Sequence, residues 1–216
     1  MTGDTSIVAV LSGDLIGSSE APPKDTEYAI KRILATAAAM EKWPGNGPTR
    51  FTRVRGDGWQ FILSNPAYAL RASLSVFAGL IGAKDLLHTR IAIGLGAANP
   101  IDGPDLSSAS GAAFESSGHA LDAMATSDRF AIAGKAVSPL HRAIIALAEN
   151  HIGRWTPEQA EAAFFYLNTT DPTLKDIGQT LGISTQAAHS RVTGAGGQAL
   201  RQAVKYWEDQ RDLVPC

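Results

Sequence analysis

The stretch Phe51–Leu63, FTRVRGDGWQFIL, constrains the fold of this chain most, because it predicts two strands joined by a tight turn. Strand-forming residues stand on both sides of Gly56-Asp57-Gly58, and Asp-Gly favours the positive-φ turn that matches strand twist. Such a turn holds the carboxylate of Asp57 clear of the sheet, where it can reach a cation. The alternative is that Asp57 only forms the turn, as aspartate commonly does.

A second carboxylate follows the apolar run Ile7–Leu11, which is typical of a strand buried on both faces. Asp14 stands at the end of this predicted strand, where metal ligands commonly occur. Gly17, shortly after it, allows a bend that brings backbone N–H groups toward a phosphate. The alternative is that Asp14 caps the following segment.

The spacing of apolar residues predicts the elements around these two stretches. They are helices Lys24–Trp43, Pro66–Ile81 and Gly111–Met124, a buried strand Thr89–Gly96 and an edge strand Phe130–Ala133. The order strand–helix–hairpin–helix–strand is typical of an α/β (α+β) domain of the ferredoxin-like, or palm, type. In that fold the first strand ends beside the hairpin tip, so Asp14 and Asp57 would approach each other. Two close carboxylates repel unless a cation such as Mg²⁺ or Mn²⁺ neutralises them.

Composition changes after Gly134, and only helices are predicted from there on. The predicted helices are Val137–Asn150, Pro157–Leu167, Thr173–Leu181, Thr185–Thr193 and Gln198–Asp212. We therefore expect a palm domain over residues 5–135 and an all-α domain over residues 136–216.

The segment Leu174–Val192, LKDIGQTLGISTQAAHSRV, resembles the helix-turn-helix of bacterial regulators and of sigma-factor region 4. Gly178 lets the two helices cross closely, Gly182 takes the turn and Ile183 fills the gap between them. Glutamine reads adenine well, and serine or threonine can reach bases or phosphates. The predicted DNA-contacting residues are Ser184, Thr185, Gln186, His189, Ser190, Arg191 and Thr193.

Charge gives mixed support for DNA binding. From Thr156 to Cys216 there are five basic and seven acidic residues, whereas DNA-binding domains are usually basic. The presumed DNA face is locally positive, with Arg191, Arg201 and Lys205. A homodimer would double the phosphate contacts and read two half-sites. The alternative is a helix-turn-helix that serves protein contact or dimerisation.

The N-terminal part resembles the class III nucleotide cyclase fold, and among its groups the SatD-like proteins, in which a compact cyclase-like domain precedes a helical tail. The resemblance rests on Asp14-Leu15-Ile16-Gly17-Ser18, on Arg53-Val54-Arg55-Gly56-Asp57-Gly58 and on the helix that contains Glu115 and His119. It implies a metal site at Asp14 and Asp57. It also implies nucleotide-binding residues at Leu15, Ile16, Gly17, Ser18, Arg53, Glu115 and His119.

Three departures from the cyclase pattern weaken the expectation of catalysis. Glu115 and His119 stand where active cyclases carry asparagine and arginine. A carboxylate would repel a triphosphate, and a mostly neutral histidine is a weaker clamp than arginine. Arg53 stands where a purine-selecting lysine is usual, which puts base recognition in doubt.

The leading hypothesis is a DNA-binding transcriptional regulator whose first domain senses a metal or a purine nucleotide with Mg²⁺ or Mn²⁺. The alternative is a metal-dependent nucleotidyl cyclase or nucleotidyltransferase acting on a nucleoside triphosphate. A third reading is an adaptor in which both domains bind protein. The 216 residues carry a net charge of −2, one cysteine and no signal-type or membrane-spanning run, so we expect a cytoplasmic protein that does not bind membranes.

Overall fold

The structure, a computed structural model, describes residues 7–84, 86–101, 103 and 105–209, and five strands within them form one mixed sheet. The strands are β1 (Ile7–Leu15), β2 (Phe51–Val54), β3 (Gly58–Leu63), β4 (Thr89–Ala97) and β5 (Phe130–Ala133). Their order in the sheet is β2-β3-β1-β4-β5. All neighbouring pairs are antiparallel except β4 and β5, which are parallel.

The central strand β1 is longer than its apolar run predicts. It continues through Asp14 to Leu15, because β4 pairs with it along its whole length, from Ile7↔Ala97 to Leu15↔Thr89. On its other side β1 pairs with β3 as far as Gly13↔Trp59. The end of β1 therefore lies beside the turn of the hairpin, as the sequence predicts.

Helices cover both faces of this sheet. On one face lie α1 (Pro23–Ala39) and α2 (Ala69–Ile81), whose buried residues share a hydrophobic cluster with Ala9, Leu11 and Leu15 of β1. On the other face α3 (Ala112–Asp122) covers a smaller cluster around Val8 and Val10. Since successive residues of a strand point to opposite faces, β1 contributes to both clusters.

The close approach of α3 to β4 depends on a glycine. A Cβ atom added to Gly94 would lie 2.0 Å from the carbonyl oxygen of Ala113. No side chain fits there unless α3 moves away from the sheet.

Five more helices follow the sheet: α4 (Pro139–Ile152), α5 (Pro157–Tyr166), α6 (Leu174–Leu181), α7 (Thr185–Gly194) and α8 (Gly197–Glu208). Their bounds agree with the predicted helices to within a few residues, although the predicted end of the last helix, residues 210–212, lies outside the described residues. Capping boxes begin α4, α5 and α6, with Ser138, Thr156 and Thr173 as the N-caps. No helix in the described ranges is long and apolar enough to cross a bilayer.

These helices share a core with the sheet and its helices. α5 packs on α2, α4 packs on β5, and Trp155 and Trp207 are buried in the same cluster as Leu70 and Leu74. The mixed α/β class is confirmed. The proposed division near residue 135 stays a prediction, because one hydrophobic cluster contains residues from both sides of it.

A buried arginine ties the C-terminal helices to α2. Arg71 is the one charged residue in the sequence of α2, and only 3% of its side chain is exposed. Its Nε and Nη2 donate to the two carboxylate oxygens of Glu208 in α8, at 2.6 and 2.7 Å. Its Nη1 donates to the carbonyl oxygen of Leu167, directly after α5. One side chain thus connects α2, α5 and α8.

We predict that Arg71→Ala lowers the free energy of unfolding by about 3–5 kcal/mol, because it leaves the Glu208 carboxylate without its cation in a largely buried place. The double variant Arg71→Met/Glu208→Leu should recover most of the loss. Urea denaturation followed by circular dichroism measures both. Lys84→Ala is the control, since Lys84 forms an exposed pair with Glu158. Equal effects of Arg71→Ala and Lys84→Ala would contradict the prediction.

Candidate functional site

The turn of the hairpin differs slightly from the predicted one. It comprises Arg55, Gly56 and Asp57, and two of these, Arg55 and Gly56, have positive φ angles of 44° and 83°. Gly58, expected in the turn, begins β3 instead. A Cβ atom there would lie 2.5 Å from the carbonyl oxygen of Val54, so glycine is required by the close pairing of the two strands.

The carboxylate of Asp57 has a partner within the chain. Ser18, from the segment that follows β1, donates its hydroxyl hydrogen to Oδ2 of Asp57. The segment after β1 therefore contacts the tip of the hairpin, which agrees with the prediction that the first strand ends beside it. Asp57 is only half-buried, which leaves its carboxylate accessible to a ligand.

Arg53 lies beside this turn. Its Nη1 donates to Oε1 of Glu27 in α1 at 2.5 Å, and its Nε donates to the carbonyl oxygen of Gly56. Both charged groups remain accessible, with 36% of the arginine side chain and 50% of the glutamate side chain exposed. The guanidinium can therefore exchange its partner at little cost.

Ser18, Arg53 and Asp57 line one open groove of about 520 Å³ between the hairpin and the start of α1. Two basic residues, Arg53 and Arg55, and two acidic residues, Glu27 and Asp57, stand along it. A volume of this size accommodates a small molecule. We call it the hairpin groove; its lining residues are Ser18, Ser19, Ala21, Pro23, Thr26, Glu27, Arg53, Arg55, Gly56 and Asp57.

Asp14, the other predicted metal ligand, has a cation of its own. It stands opposite Arg90 of β4, and the guanidinium donates to both carboxylate oxygens, with Nε at 2.9 Å from Oδ1. This bidentate hydrogen bond raises the pKa of Arg90. Asp14 follows Ser12 by two residues, so its side chain is on the α3 face of the sheet together with Ser12, whose hydroxyl bonds to Ser117 of α3 at 2.8 Å.

The four predicted nucleotide-binding residues directly after Asp14 differ in their availability to a ligand. Leu15 is buried in the core, and the N–H group of Ile16 donates to the carbonyl oxygen of His88 at 2.8 Å. Gly17 has the expected bend, with a φ of 76°. The Ile16 N–H is thus already used, whereas Ser18 faces the hairpin groove.

Glu115 and His119 are exposed on α3, which covers the other face of the sheet from α1. Neither residue lines the hairpin groove, and the described residues show no side-chain hydrogen bond or ion pair for either. The structure therefore brings Ser18, Arg53 and Asp57 together, and it leaves Glu115 and His119 apart from them. Within the described ranges no group of three or more His, Cys, Asp or Glu residues is arranged to hold a metal ion.

The other predicted site lies in helices α5, α6 and α7, which enclose a small core of their own. Ala162, Ile177, Ala188 and Val192 are its buried members. Gly182, between α6 and α7, is left-handed with a φ of 65°, and the N–H of Ile183 donates to the carbonyl oxygen of Gly178 at 2.9 Å. The Ser184 hydroxyl accepts from the N–H of Ala187 and so caps α7.

Five of the predicted DNA-contacting residues form the exposed side of α7, Ser184 caps the helix, and Arg191 flanks this side toward α5. All are exposed except Arg191, which is half-buried and whose Nη1 contacts Oε2 of Glu161 in α5 at 3.0 Å. Arg201 and Lys205 of α8, the other two cations expected near the DNA, also have partners. Lys205 and Arg201 both pair with Asp171, at 2.7 and 3.7 Å, and Arg201 further donates to the carbonyl oxygen of Tyr166. The exposed residues of the α7 face are Ser184, Thr185, Gln186, His189, Ser190 and Thr193.

Several features were not foreseen from the sequence, and three of them follow. One is the pairing of Arg53 with Glu27, which are 26 residues apart. Another is the carbonyl oxygen of Ala195, at the end of α7, which accepts from Nε1 of Trp155 and bonds to Nε2 of His151, both at 2.9 Å. A solitary arginine in the apolar sequence of α2 is the sequence signal that could have revealed a third, the buried Arg71.

Comparison with protein-family models, curated proteins and solved structures found no match to this chain. The resemblance to cyclase-like and SatD-like proteins therefore stays a prediction.

We predict that Gly178→Ala lowers the free energy of unfolding by about 1–3 kcal/mol, because the new Cβ would lie 2.9 Å from the carbonyl oxygen of Ile183. Gly118→Ala is the matched control, since Gly118 is inside α3 with no atom within 4 Å of an added Cβ. That change should stabilise the protein by about 0.5–1 kcal/mol through helix propensity. Thermal unfolding of both variants measures the difference. A stabilised Gly178→Ala would show that the two helices do not cross closely there.

Proposed function

We propose that this chain is a DNA-binding regulator that reads DNA through α7. The observation that carries the proposal is the exposed side of α7, which consists of the hydrogen-bonding residues Thr185, Gln186, His189, Ser190 and Thr193 and includes no Asp, Glu, Lys or Arg. Recognition helices contact base edges with their N-terminal residues. Gln186 suits adenine, and Thr185 and Ser190 suit bases or phosphates.

The packing of α5, α6 and α7 supports a helix-turn-helix. The short turn, the left-handed Gly182 and the small Gly178 beneath Ile183 are what a tight crossing of two helices demands. Ala188 and Val192 hold α7 against α5 and α6 through its inner side. Its outer side is thereby left to a partner. In this proposal α4–α8 form the all-α domain of the regulator.

The ion pairs of α7 and α8 determine how strongly DNA is expected to bind. Arg191, Arg201 and Lys205 each have a carboxylate partner, so DNA phosphates must compete with Glu161 and Asp171. The pair of Arg191 with Glu161 is partly exposed, with 27% and 43% of the side chains accessible. Exposed pairs contribute about 0–1 kcal/mol, and a phosphate oxygen offers arginine an equally strong charge-assisted bond. DNA binding should therefore be moderate and strongly salt-dependent.

We predict opposite effects from the two members of the Arg191–Glu161 pair. Glu161→Gln releases Arg191 and should tighten DNA binding by about two- to tenfold, and steepen its salt dependence by about one phosphate contact. Gln186→Ala combined with Arg191→Ala should abolish sequence preference with the fold intact. Fluorescence anisotropy on DNA from the protein's own upstream region, against scrambled DNA at two salt concentrations, measures both.

Glu20→Gln is the control for net charge, because Glu20 is exposed in the loop after β1 and does not belong to helices α5–α8. It should leave affinity almost unchanged. If Glu161→Gln and Glu20→Gln tighten binding equally, only the overall charge acts and α7 does not contact DNA. Absence of binding to either DNA by the wild type would refute the regulator proposal.

A second candidate function, binding of a purine nucleotide with Mg²⁺ or Mn²⁺, is favoured by the hairpin groove. The strand order β2-β3-β1-β4, antiparallel throughout, supports a ferredoxin-like palm in the first domain. Asp57 would contribute a carboxylate to the metal, and Arg53 with Arg55 would contact phosphates. The ion pair between Asp14 and Arg90 counts against a two-metal enzyme, since a cation already neutralises the first carboxylate.

We predict that Asp57→Asn weakens binding of a purine nucleoside triphosphate in Mn²⁺ by about tenfold or more, because it removes the charge that holds the metal. Isothermal titration calorimetry measures it. Asp122→Asn is the control, as Asp122 is exposed at the end of α3 on the other face of the sheet. Equal losses of nucleotide affinity in the two variants would exclude the hairpin groove as the binding site. If the wild type converts the triphosphate to a product and Asp57→Asn does not, the cyclase alternative is favoured.

A further inference from the structure

Three large apolar side chains are exposed on one side of the helical region. Leu140 and Leu147 of α4 are 66% and 73% exposed, and Tyr206 of α8 is 63% exposed. Ile144, half-buried, completes an i, i+4, i+7 row on α4. Within the described residues the other exposed large apolar side chains, Tyr28, Leu34 and Val54, are less open, at 60%, 44% and 41%, and all belong to the N-terminal region. Such a concentration marks an interaction surface.

The row on α4 borders an apolar groove of about 380 Å³ between α4 and α8. Leu70 of α2 and Leu200 of α8 contribute to its lining, with Leu147 on the side of α4 and Ala203 on the side of α8. The two helices therefore present both protruding leucines and a cavity able to receive one. We call the groove together with Leu140 and Tyr206 the α4–α8 face.

The α4–α8 face carries no charge that would select another partner. No Asp, Glu, Lys or Arg lines the groove, and the charged residues of both helices bond within the chain. On α4, Arg142 donates to the carbonyl oxygen of Ile132, and Glu149 accepts from the N–H of Arg129. On α8, Glu208 bonds to Arg71, whereas Arg201 and Lys205 bond to Tyr166 and Asp171 from the side of the helix opposite Ala199 and Ala203, outside the α4–α8 face. A neutral face gives nucleic acid and anionic lipid no electrostatic attraction.

We propose that the α4–α8 face binds a second copy of this chain in an isologous, two-fold symmetric contact. A neutral apolar surface meets its own copy without charge repulsion, and each copy offers both the protruding Leu147 and the groove that can take it. Helices of 14 and 12 residues measure about 21 and 18 Å in length, and each is about 10 Å wide. The two helices side by side therefore cover about 400 Å² per copy. Stable interfaces need about 800 Å² per partner. The dimer should therefore be weak, and its fraction should rise with protein concentration.

The position of α8 gives this contact a consequence for DNA binding, which rests on the function proposed above. α8 follows α7 after two residues, Ala195 and Gly196, and the carbonyl oxygen of Ala195 is held by Trp155 and His151. Two copies joined at α8 would present two α7 helices at a set distance. That arrangement reads a two-fold symmetric pair of half-sites.

Sedimentation velocity of the full-length protein without DNA tests the contact, so its outcome is independent of the regulator proposal. The mass should rise with concentration from one chain toward two. Leu147→Glu should raise the dimer dissociation constant by about tenfold or more, because it buries an unpaired carboxylate. Tyr206→Glu should act likewise, and circular dichroism should show unchanged folding, since both side chains are largely exposed.

Tyr28→Glu is the matched control: Tyr28 is 60% exposed on α1, and its replacement should leave dimerisation unchanged. A monomer at every concentration, or a dimer that Tyr28→Glu disrupts and Leu147→Glu does not, would overturn the proposal. A chain ending at Asp209 addresses a competing occupant. If this shortened chain dimerises and the full chain does not, residues 210–216 cover the face and the proposal is wrong.

Discussion

The ion pair of Arg71 with Glu208 is the interaction on which the placement of the C-terminal helices depends. A guanidinium that is 3% exposed must have its hydrogen bonds satisfied inside the protein, and Glu208 and the carbonyl oxygen of Leu167 satisfy them. Because these partners belong to α8 and to the end of α5, the requirement positions both against α2. The proposed DNA-reading helix α7 lies between them in the chain and inherits that position.

Electrostatics separates the surfaces of this protein into three kinds. Arg191 of α7 and Lys205 of α8 are paired and partly exposed, which makes them available to a competing phosphate. In the hairpin groove two cations and two anions occur together, which suits a phosphate accompanied by a metal ion. On the α4–α8 face the charges bond within the chain, which leaves apolar contact as the driving force. We therefore propose a different chemical class of partner for each surface.

The two predicted carboxylates illustrate how neighbouring positions acquire different environments. The pairing of β1 with β3 brings the end of β1 to the hairpin tip, so the expected proximity of the two segments is correct. The alternation of the strand then turns Asp14 toward the α3 face, where Arg90 meets it, while the turn leaves Asp57 beside Ser18. Because Arg90 already neutralises Asp14, Asp57 is the one of the two carboxylates left to bind a metal ion. This arrangement agrees better with a binding site than with a two-metal mechanism.

Local signals in the sequence determined the elements of this protein. The Asp-Gly turn, the apolar runs and the spacing of apolar residues predicted the strands and helices, because these signals act over a few residues. Partners distant in sequence were decided only by the tertiary structure: Asp14 with Arg90, Arg53 with Glu27, Arg71 with Glu208, and Arg191 with Glu161. An ion pair depends on which surfaces meet after folding, and the sequence shows the charge of a residue without showing its neighbour. The candidate residues were therefore visible in the sequence, whereas their availability to a ligand was determined by packing.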